Sequence, residues 1–466
     1  MFKKIFLMLL FISVCSTIGC STSQSDDSDT DQGVDSDTGE TFDSDSNAVS
    51  DSDSDSDEIM YSKVFPYGIF YQLFSNSPSV NTAPHSSYLM MPIGNTTKNP
   101  VTVPDIPTAD SFSNTLYFDS NAPDGGDGTM DSPYNSLDII TEENYPDDCA
   151  VLLKADSVFY SSTLKAGADK TDVYFGSYGK GAMPVVTNVD DLKSPGDFAM
   201  GSQFTGANIT VDGIHLIEGS DSTYGVVLGI GGTNLTIANS HIESINTPGS
   251  GYLFNIMKGG GENMVLYHNE IAYSRDDIWY ASSNGTYQIV SNYFHHANMG
   301  VYKADNFDPE NRDTWSTAGG DIIQFEYPGL TDTYIANNFF DKGDSACKFG
   351  LIFNGGHDNT NVVIEYNTII APMNFGGGAA IQLHADAVVK NNLLMNTDPE
   401  GGTSVLASYP EFAADITNNH IVGYQKDTAF WNLTFEDLGE DNLIFDNLDA
   451  YQSKVLPADR LGSDIF

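Results

Sequence analysis

The segment TYIANNFFDK, residues 333–342, decides how this chain folds, because close variants of it recur along the sequence. Each variant has alternating apolar residues, then an Asn or Ser, then a second short apolar stretch before a variable loop. The variants are LTIANSHIES (235–244), MVLYHNEIAYS (264–274), YQIVSNYFHH (287–296), VVIEYNTIIA (362–371), AVVKNNLLMN (387–396) and ADITNNHIVG (414–423). Self-similarity at a regular period indicates a repeat architecture.

The spacing of these variants identifies the kind of repeat. Aligned on the residue before the second apolar stretch, they place Ser240, Asn269, Asn292, Asn338, Asn367, Asn392 and Asn419 at equivalent positions, with steps of 29, 23, 46, 29, 25 and 27 residues. Five steps fit the roughly 20 to 30 residues of a coil with three short strands. Leucine-rich repeats would need an L-x-x-L-x-L frame and a helical half, and a β-sandwich would show hairpin turns. We therefore predict an all-β, right-handed parallel β-helix, a three-sheet solenoid.

The recurrent Asn has a physical role at a turn that points into the core. Its amide can bond backbone groups of its own coil and the Asn about 4.8 Å away in the next coil. This satisfies donors that a bent, buried backbone would leave open. We predict an asparagine ladder along the solenoid.

The start of the domain adds a resemblance to a known family. LYFDSNAPDGGDGTMDSPYNSLDII (116–140), followed by CAVLLKADSVFYSSTL (149–164), resembles the segment that opens pectate-lyase-type β-helices. The resemblance extends to about residue 425 and implies a secreted carbohydrate-active protein that binds glycans on its first sheet. In that family the Asn turn separates the second sheet from the third. The catalytic signatures of pectate lyases, chondroitinase-like lyases and polygalacturonases are absent, so no catalytic residue is carried over.

The N-terminal residues predict export of the protein and a tether to a membrane. Lys3 and Lys4 precede an apolar run over residues 5–14, which is typical of a signal peptide, and the run leads into a lipobox-like Thr17-Ile18-Gly19-Cys20. We expect lipidation of Cys20 and attachment to the outer membrane or cell surface. Residues 1–20 form the lipoprotein signal peptide, 21–58 a disordered Ser/Asp-rich linker, 59–115 an N-terminal extension, 116–430 the β-helix and 431–466 a C-terminal cap.

Charge and cysteine content limit the possible partners. The linker holds twelve Asp, one Glu and no base before residue 58, and the rest of the mature chain has 51 acids and 17 bases. Without a basic stripe, nucleic acid is excluded as a partner. We expect a monomer that meets the membrane only through its lipid.

Cys149 and Cys347 are predicted to be buried or idle thiols, with a bridge left open. His215, His241, His268 and His420 lie beside core positions and are predicted to be structural.

The first-sheet strands carry the candidate site. They are predicted at 226–230, 253–257, 277–281, 321–326, 350–354, 380–384 and 404–408. Strand alternation turns one row outward, Gln324, Ile352 and Gln382, and beside it a second row, Glu326, Asn354 and His384. We predict substrate contacts from Gln324, Asn354 and Gln382, and catalytic roles for Glu326 and His384.

The long step of 46 residues adds a loop over residues 295–320 beside this face. Loops of this length in compact domains are usually functional or disordered. This loop supplies Lys303 as a candidate base, Trp315 as a sugar platform, and Asp305, Asp308 and Glu310 as candidate calcium ligands. Neighbouring segments add Lys348 as a base and Arg275 and Trp279 as substrate contacts.

These groups permit two reactions and a third, non-catalytic function. A polysaccharide lyase would use Lys348, Lys303 or His384 as base, with Asn354 and Gln324 or Ca²⁺ holding the developing charge. A glycoside hydrolase needs two carboxyls, here Glu326 with Asp277 or Asp305. A glycan-binding or adhesive protein would use the same face without chemistry. The gathering of Lys303, Lys348, Arg275 and Arg312 near this face favours the lyase.

Overall fold

The computed structural model describes residues 99–188, 201–218, 224–244, 253–272, 274, 276–295, 297, 320–326, 329–341, 349–354, 359–370, 379–395, 404–408, 412–423, 430–431, 438, 441–455 and 459–464. Structural statements below concern these residues. No helix among them is long and apolar enough to cross a membrane.

The described residues form three parallel β-sheets, named here in the order used for the sequence prediction. The first sheet contains β4 (Lys165–Ala166), β7 (Ser202–Phe204), β10 (Tyr224–Ile230), β13 (Leu253–Gly259), β16 (Trp279–Ala281), β19 (Asp321–Phe325), β22 (Phe349–Phe353), β25 (Ala379–Leu383), β28 (Ser404–Ser408) and β31 (Phe430–Trp431).

The second sheet contains the strands that lead into each Asn turn. They are β1 (Asn114–Phe118), β2 (Cys149–Lys154), β5 (Thr171–Tyr178), β8 (Ala207–Asp212), β11 (Thr233–Ala238), β14 (Glu262–Tyr267), β17 (Tyr287–Val290), β20 (Thr331–Ala336), β23 (Thr360–Glu365), β26 (Ala387–Lys390) and β29 (Ala414–Thr417).

The third sheet contains the short strands that follow the Asn turn. They are β3 (Val158–Phe159), β6 (Val185–Val186), β9 (His215–Glu218), β12 (His241–Ser244), β15 (Glu270–Ala272), β18 (Tyr293–His295), β21 (Phe339–Asp341), β24 (Thr368–Ile370), β27 (Leu393–Met395), β30 (His420–Val422) and β32 (Leu443–Phe445). From β2 to β31 the described strands follow the second, third and first sheets in a repeating order, and each pairs with its equivalent in the next coil. The predicted parallel β-helix is confirmed, and its pairing continues past residue 430 to Phe445.

The predicted asparagine ladder is confirmed and gains one rung, Asn442. Between successive Asn rungs the side-chain oxygen of one Asn accepts hydrogen bonds from the backbone N–H and amide of its predecessor, as between Asn292 and Asn338 at 2.9 and 3.0 Å. The amide also donates to a carbonyl of an earlier coil, from Asn338 to Ile289 at 2.7 Å. The residue before each rung from Ser240 to Asn419, such as Asn337 with φ 57°, is left-handed, which turns the chain from one sheet to the next.

Apolar side chains fill the interior in stacks that follow the coils. Phe294 lies on Phe340 with ring centroids 5.1 Å apart, and Phe325 lies on Phe353 at 4.7 Å. All four rings are buried. Burying such a side chain contributes about 1.5 to 3 kcal/mol, so the repeated stack is the main source of stability. Cys149, at the start of β2, is a free buried thiol, as predicted.

Short helices and turns lie outside the coils. A 3₁₀ turn covers Ala109–Ser111, α1 covers Asp138–Thr141 and α2 covers Leu448–Lys454. Ile140 of α1 is fully buried in the main core, whereas Tyr451 of α2 packs on third-sheet residues, including Met395 and Val422. The helices thus cover the first coils and the outer side of the third sheet near the C-terminus.

Both ends of the described chain meet at Asn337. Its side-chain oxygen accepts hydrogen bonds from the Asn99 amide at 3.0 Å and the Asp464 backbone at 2.9 Å, and its carbonyl accepts one from Ser463 at 2.7 Å. The Asn99 amide also donates to the carbonyl of Gly462 at 2.9 Å. We call these five residues the terminal clip.

Candidate functional site

The outward row of the first sheet follows the register expected from alternation. Successive strands pair Lys258 with Tyr280, Tyr280 with Gln324, Gln324 with Ile352, and Ile352 with Gln382. Because neighbouring strands lie about 4.8 Å apart, these side chains form a continuous line across five coils. The predicted row of Gln324, Ile352 and Gln382 is therefore present, extended at one end by Lys258 and Tyr280.

Glu326 and Asn354 form a hydrogen-bonded unit beside this row. The amides of Gln324 and Asn354 both donate to Oε2 of Glu326. Oε1 receives no hydrogen bond from a described residue. His384 lies one rung beyond Asn354 by the same register, and its ring meets Phe412 edge-on with centroids 6.1 Å apart. The structure thus brings Glu326, Asn354 and Gln324 together, with His384 next along the face.

This face is shielded rather than openly solvated. Gln382 is 7 % exposed and Ile352 6 %, although both point away from the core. Gln324, Glu326, Asn354, Tyr280 and His384 are half-buried. A polar, partly covered surface of this kind suits a bound ligand better than a bare solvent face does. We call Lys258, Tyr280, Gln324, Glu326, Asn354, Gln382 and His384 the first-sheet patch.

The predicted role of Trp279 in substrate binding is wrong. Trp279 pairs with Ile323, a core position, and its side chain is fully buried against Tyr287 and Phe325. Its indole N–H donates to the carbonyl of Gly259 at 3.1 Å. Alternation instead turns the next residue, Tyr280, outward, so Tyr280 is the aromatic that a ligand on this face would meet.

Lys258 is a second patch residue that sequence reasoning missed. It is exposed, and its ammonium lies 5.5 Å from the centroid of the Tyr280 ring. Its position was hidden because the predicted strand ended at residue 257, just before Lys258, whereas β13 continues to Gly259. Its charge also acts on Asp276, whose pKa is raised to about 6 by burial and partly lowered again by Lys258.

Two buried aspartates cap the entrance of neighbouring first-sheet strands. Oδ1 of Asp277 accepts the Asp321 backbone N–H at 2.7 Å, and Oδ1 of Asp321 accepts that of Phe349 at 3.1 Å. Both are under 5 % exposed. Burial raises the pKa of Asp277 well above its usual range, and the charges of Asp321, Asp276 and Glu326 raise it further. Asp277 and Asp321 therefore bond backbone N–H groups at the start of first-sheet strands. The ladder Asn residues bond backbone groups in the same way at the turn between the second and third sheets.

The remaining predicted site residues lie outside the described residues. They comprise the two lysines expected as bases, two substrate contacts, the three calcium ligands and the lipidation site: Lys303, Lys348, Arg275, Trp315, Asp305, Asp308, Glu310 and Cys20. The roles assigned to them, including calcium binding, stay predictions. Cys347 also lies outside this part of the chain.

A groove on the second sheet lies away from the patch. It encloses about 470 Å³ between residues 105–112 and the outward side chains of successive coils, including Asp148, Asp172, Asn208 and Asn234. Its polar side chains bond one another or cap the backbone, as when Asp148 accepts the Ser113 N–H at 3.1 Å and Asn234 donates to Asn208 at 2.7 Å. These polar groups already hydrogen-bond to other groups of the protein, so we place the candidate site on the first sheet.

The known proteins that resemble this chain are solved structures of low sequence identity. No protein-family model matches the chain, and no curated protein matches it. Among solved structures, the chain is similar to a family GH136 lacto-N-biosidase from Eubacterium ramulus at 13 % identity and a TM-score of 0.40, over 71 % of this chain and 68 % of that one. It is also similar to a pectate lyase at 13 % identity and 0.39, over 66 % and 80 %, and to a rhamnogalacturonan lyase at 14 % and 0.37, over 66 % and 87 %. At these identities the likeness concerns the fold alone.

Proposed function

We propose that the protein binds an extracellular polysaccharide along its first sheet and cleaves it as a polysaccharide lyase at a uronate sugar. The observation that carries this proposal is a row of N–H donors along this face, two of which, Gln324 and Asn354, meet at Glu326. Lys258, Gln324, Asn354 and Gln382 all turn toward the outer side of the same sheet. Such donors are what a sugar carboxylate requires.

The chemistry of a lyase fits these donors. A base removes the proton α to the uronate carboxyl, and donors must hold the charge that develops on that carboxyl. Gln324 and Asn354 each give one amide N–H to Glu326 and keep a second N–H for the substrate. Glu326 therefore fixes the orientation of both amides before a glycan arrives. Lys258 lies two rungs from Gln324, about 9 to 10 Å across the sheet, and would attract a neighbouring uronate.

His384 is the base that we propose from the described residues. It follows Asn354 along the face, on the side opposite Lys258, so a uronate held by Asn354 would meet the imidazole. Lys303 and Lys348 stay predicted alternatives for this role. Tyr280 supplies an aromatic surface on which a sugar ring can stack, and the length of the row suits an extended chain of sugars.

One observation favours glycoside hydrolysis as a second candidate. The charge of Glu326 contributes to the raised pKa of Asp277, so the two carboxyls lie within electrostatic reach of each other. A protonated and an ionised carboxyl are what hydrolysis needs. However, Asp277 is 3 % exposed and its Oδ1 caps a strand, which leaves little of it for a substrate. We therefore rank the hydrolase below the lyase.

A glycan panel with matched variants tests the proposal. Purified protein is incubated with uronate-bearing and neutral polysaccharides, and unsaturated uronides and new reducing ends are measured separately. Lyase action predicts both signals from a uronate glycan, a loss of about 100-fold or more in His384→Ala, and a loss of about tenfold or more in Gln324→Ala and Asn354→Ala. Gln288→Ala is the control, because Gln288 is an exposed glutamine on the second sheet.

The other outcomes are equally informative. Reducing ends without unsaturated products, abolished by Asp277→Asn, would replace the lyase with the hydrolase. Retention of a glycan without cleavage, weakened by Tyr280→Ala, would indicate a binding or adhesive protein. Equal loss of any signal in Gln288→Ala would move the site away from the first sheet.

The place of action is also proposed. The signal-like N-terminus and Cys20 support a protein held at the cell surface by a lipid, where polysaccharides are the accessible substrates. Replacement of Cys20 by Ser should move the protein from the membrane fraction to the soluble fraction if the lipid is its anchor.

A further inference from the structure

Three histidines and two glutamates meet on the outer face of the third sheet, away from the first-sheet patch. Strand register places His215, His241 and Glu270 in one row, and Glu243 and His295 in the row beside it with Ala272 between them. Ile242, Ile271 and Phe294 lie between these rows in sequence and are fully buried in the main core. The five polar side chains therefore point away from that core. We call them the histidine–glutamate cluster.

The cluster is buried although it faces outward. The side chains of the five residues are between 5 % and 12 % exposed. Polar groups in such a place need compensating partners, and carboxylates need them most. The effect of the cluster on the stability of the fold therefore depends on which partners its lone pairs and charges have.

The distances in the cluster leave one nitrogen unsatisfied. Nε2 of His215 lies 2.9 Å from Oε1 of Glu243, and Nε2 of His295 lies 3.0 Å from Oε1 of Glu270. Nε2 of His241 lies between the two glutamates, 3.7 Å from Glu243 and 3.8 Å from Glu270. It has no hydrogen-bond partner and is buried. At these distances Nε2 is too far from either carboxylate for a hydrogen bond. The spacing instead leaves room for an atom between them that both the nitrogen and the carboxylates could bind.

Such spacing fits a metal ion. A tetrahedral Zn²⁺ with bonds of about 2.0 to 2.2 Å to imidazole nitrogen and carboxylate oxygen separates its ligand atoms by about 3.3 Å. The ligand atoms of His215, His241 and Glu243 all lie within 4.8 Å of one another. Small side-chain rotations would close this to a coordination sphere. Glu270 would have to rotate further to become a fourth ligand, because its Oε1 lies 3.8 Å from Nε2 of His241 but outside this group of three.

The charge of the cluster agrees with this geometry. Two glutamates lie in a buried place, and a divalent cation would offset their charge.

We propose that His215, His241, Glu243 and Glu270 bind a divalent transition-metal ion, with Zn²⁺ the best match to their nitrogen and oxygen ligands. His295 is then a positioning residue that hydrogen-bonds Glu270. The ion would tie together three successive coils through β9, β12 and β15. His215 and His241 are predicted from the sequence to be structural histidines, and a metal that links coils gives that structural role a mechanism.

Metal titration of the purified protein tests the proposal. The protein is freed of metal with a chelator and titrated with Co²⁺, whose visible absorption reports nitrogen and oxygen ligation, and then with Zn²⁺ as competitor. One tightly bound ion per chain and an upward shift in the melting temperature are expected. His295→Ala should weaken binding about 10- to 100-fold, as loss of a hydrogen bond to a ligand commonly does.

Two variants separate a ligand from a merely structural histidine. His241→Phe keeps a ring in the stack on His215 and removes the unsatisfied nitrogen, so we expect it to fold, to lose the Co²⁺ spectrum and to show no melting shift with Zn²⁺. His420→Ala is the control, because His420 lies on the same sheet outside the cluster. Absence of Co²⁺ binding by the unaltered protein, or equal binding by His241→Phe, would overturn the proposal.

Discussion

Trp279 and Tyr280 are neighbours in the sequence and lie on opposite sides of the same strand. Trp279 is fully buried with Tyr287 and Phe325, whereas Tyr280 is half-buried in the outward row. Residue type alone favours Trp279 as the substrate contact, because an indole is a common sugar platform. Alignment of Trp279 with Ile323, already assigned to the core, would have selected Tyr280 instead.

Replacing each of these aromatics by Ala should separate stability from binding. Trp279→Ala leaves a large cavity in the core, so we expect a loss of about 3 to 5 kcal/mol in the free energy of unfolding. Tyr280→Ala should cost about 1 kcal/mol or less and weaken glycan binding about tenfold. Denaturant unfolding and glycan affinity electrophoresis measure the two effects. Tyr160→Ala, an exposed tyrosine elsewhere, is the control. Equal losses of affinity in Tyr280→Ala and Tyr160→Ala would contradict the prediction.

Asp277 gives a pH dependence with a definite sign. Its pKa is raised in the folded protein, so the folded state holds a proton that the unfolded chain releases above about pH 4. Its contribution to stability therefore falls as pH rises from about 4 through its folded pKa, and Asp276, with a pKa raised to about 6, adds a fall in the same direction. Asp277→Asn keeps an oxygen for the Asp321 N–H and removes the charge. We expect it to melt higher than the unaltered protein at pH 7.

Melting curves from pH 4 to 8 check this prediction. The advantage of Asp277→Asn should shrink toward pH 4, where both forms carry a neutral side chain. Asp148→Asn is an opposite control, because hydrogen bonds from Ser113 lower the pKa of Asp148 and the variant should gain nothing at neutral pH. A lower melting temperature for Asp277→Asn at pH 7 would show that its carboxylate is stabilising.

At the scale of the element, the asparagine ladder is the feature most sensitive to substitution. Asn338→Ala would leave the Asn292 N–H and the Ile289 carbonyl without partners in a buried place. Each orphaned group costs about 1 to 3 kcal/mol, so we expect a loss of about 3 kcal/mol or more. Asn442→Ala would leave the Asn419 N–H and the Ile416 carbonyl without these partners in the same way, so we expect a loss of similar size at the last rung.

Denaturant unfolding of three variants measures the ladder. Asn144→Ala is the control, because Asn144 is an exposed asparagine that bonds Glu142 on the outer surface. Its loss should be within about 0.5 kcal/mol. Similar losses at Asn338 and Asn144 would mean that burial of the ladder does not determine its strength.

The ladder also explains how much of the fold was predictable from sequence. A buried amide at one point in each coil recurs visibly, so the spacing from Ser240 to Asn419 located the coils and the sheets. The rung at Asn442 was missed because its flanking strand, Leu443–Phe445, carries one buried side chain and a weak pattern. Lys258 was missed by one residue at a strand end. The histidine–glutamate cluster was missed because its members come from four coils, and only register brings His241 beside Glu270.

At the scale of the whole molecule, the terminal clip joins residues far apart in sequence. Asn337→Gly keeps the left-handed turn, which glycine adopts freely, and removes the oxygen that accepts from Asn99 and Asp464. We expect amide hydrogen exchange to increase at residues 99–102 and 462–464, with little change in the coils. Asn418→Gly is the control at the same kind of turn, with φ 51° and no contact with the clip. Unchanged exchange in Asn337→Gly would mean that other contacts hold the ends.

The terminal clip also determines at which coil a mechanical force on the N-terminal segment would act. The chain reaches its first coil strand only at Asn114, yet Asn99 is bonded beside β20, the eighth strand of the second sheet. Tension arriving from upstream of residue 99 would therefore enter the solenoid part-way along its length and bypass the strand at which unwinding would otherwise begin. The few hydrogen bonds at Asn337 would then break under tension before the strands of the coils separate.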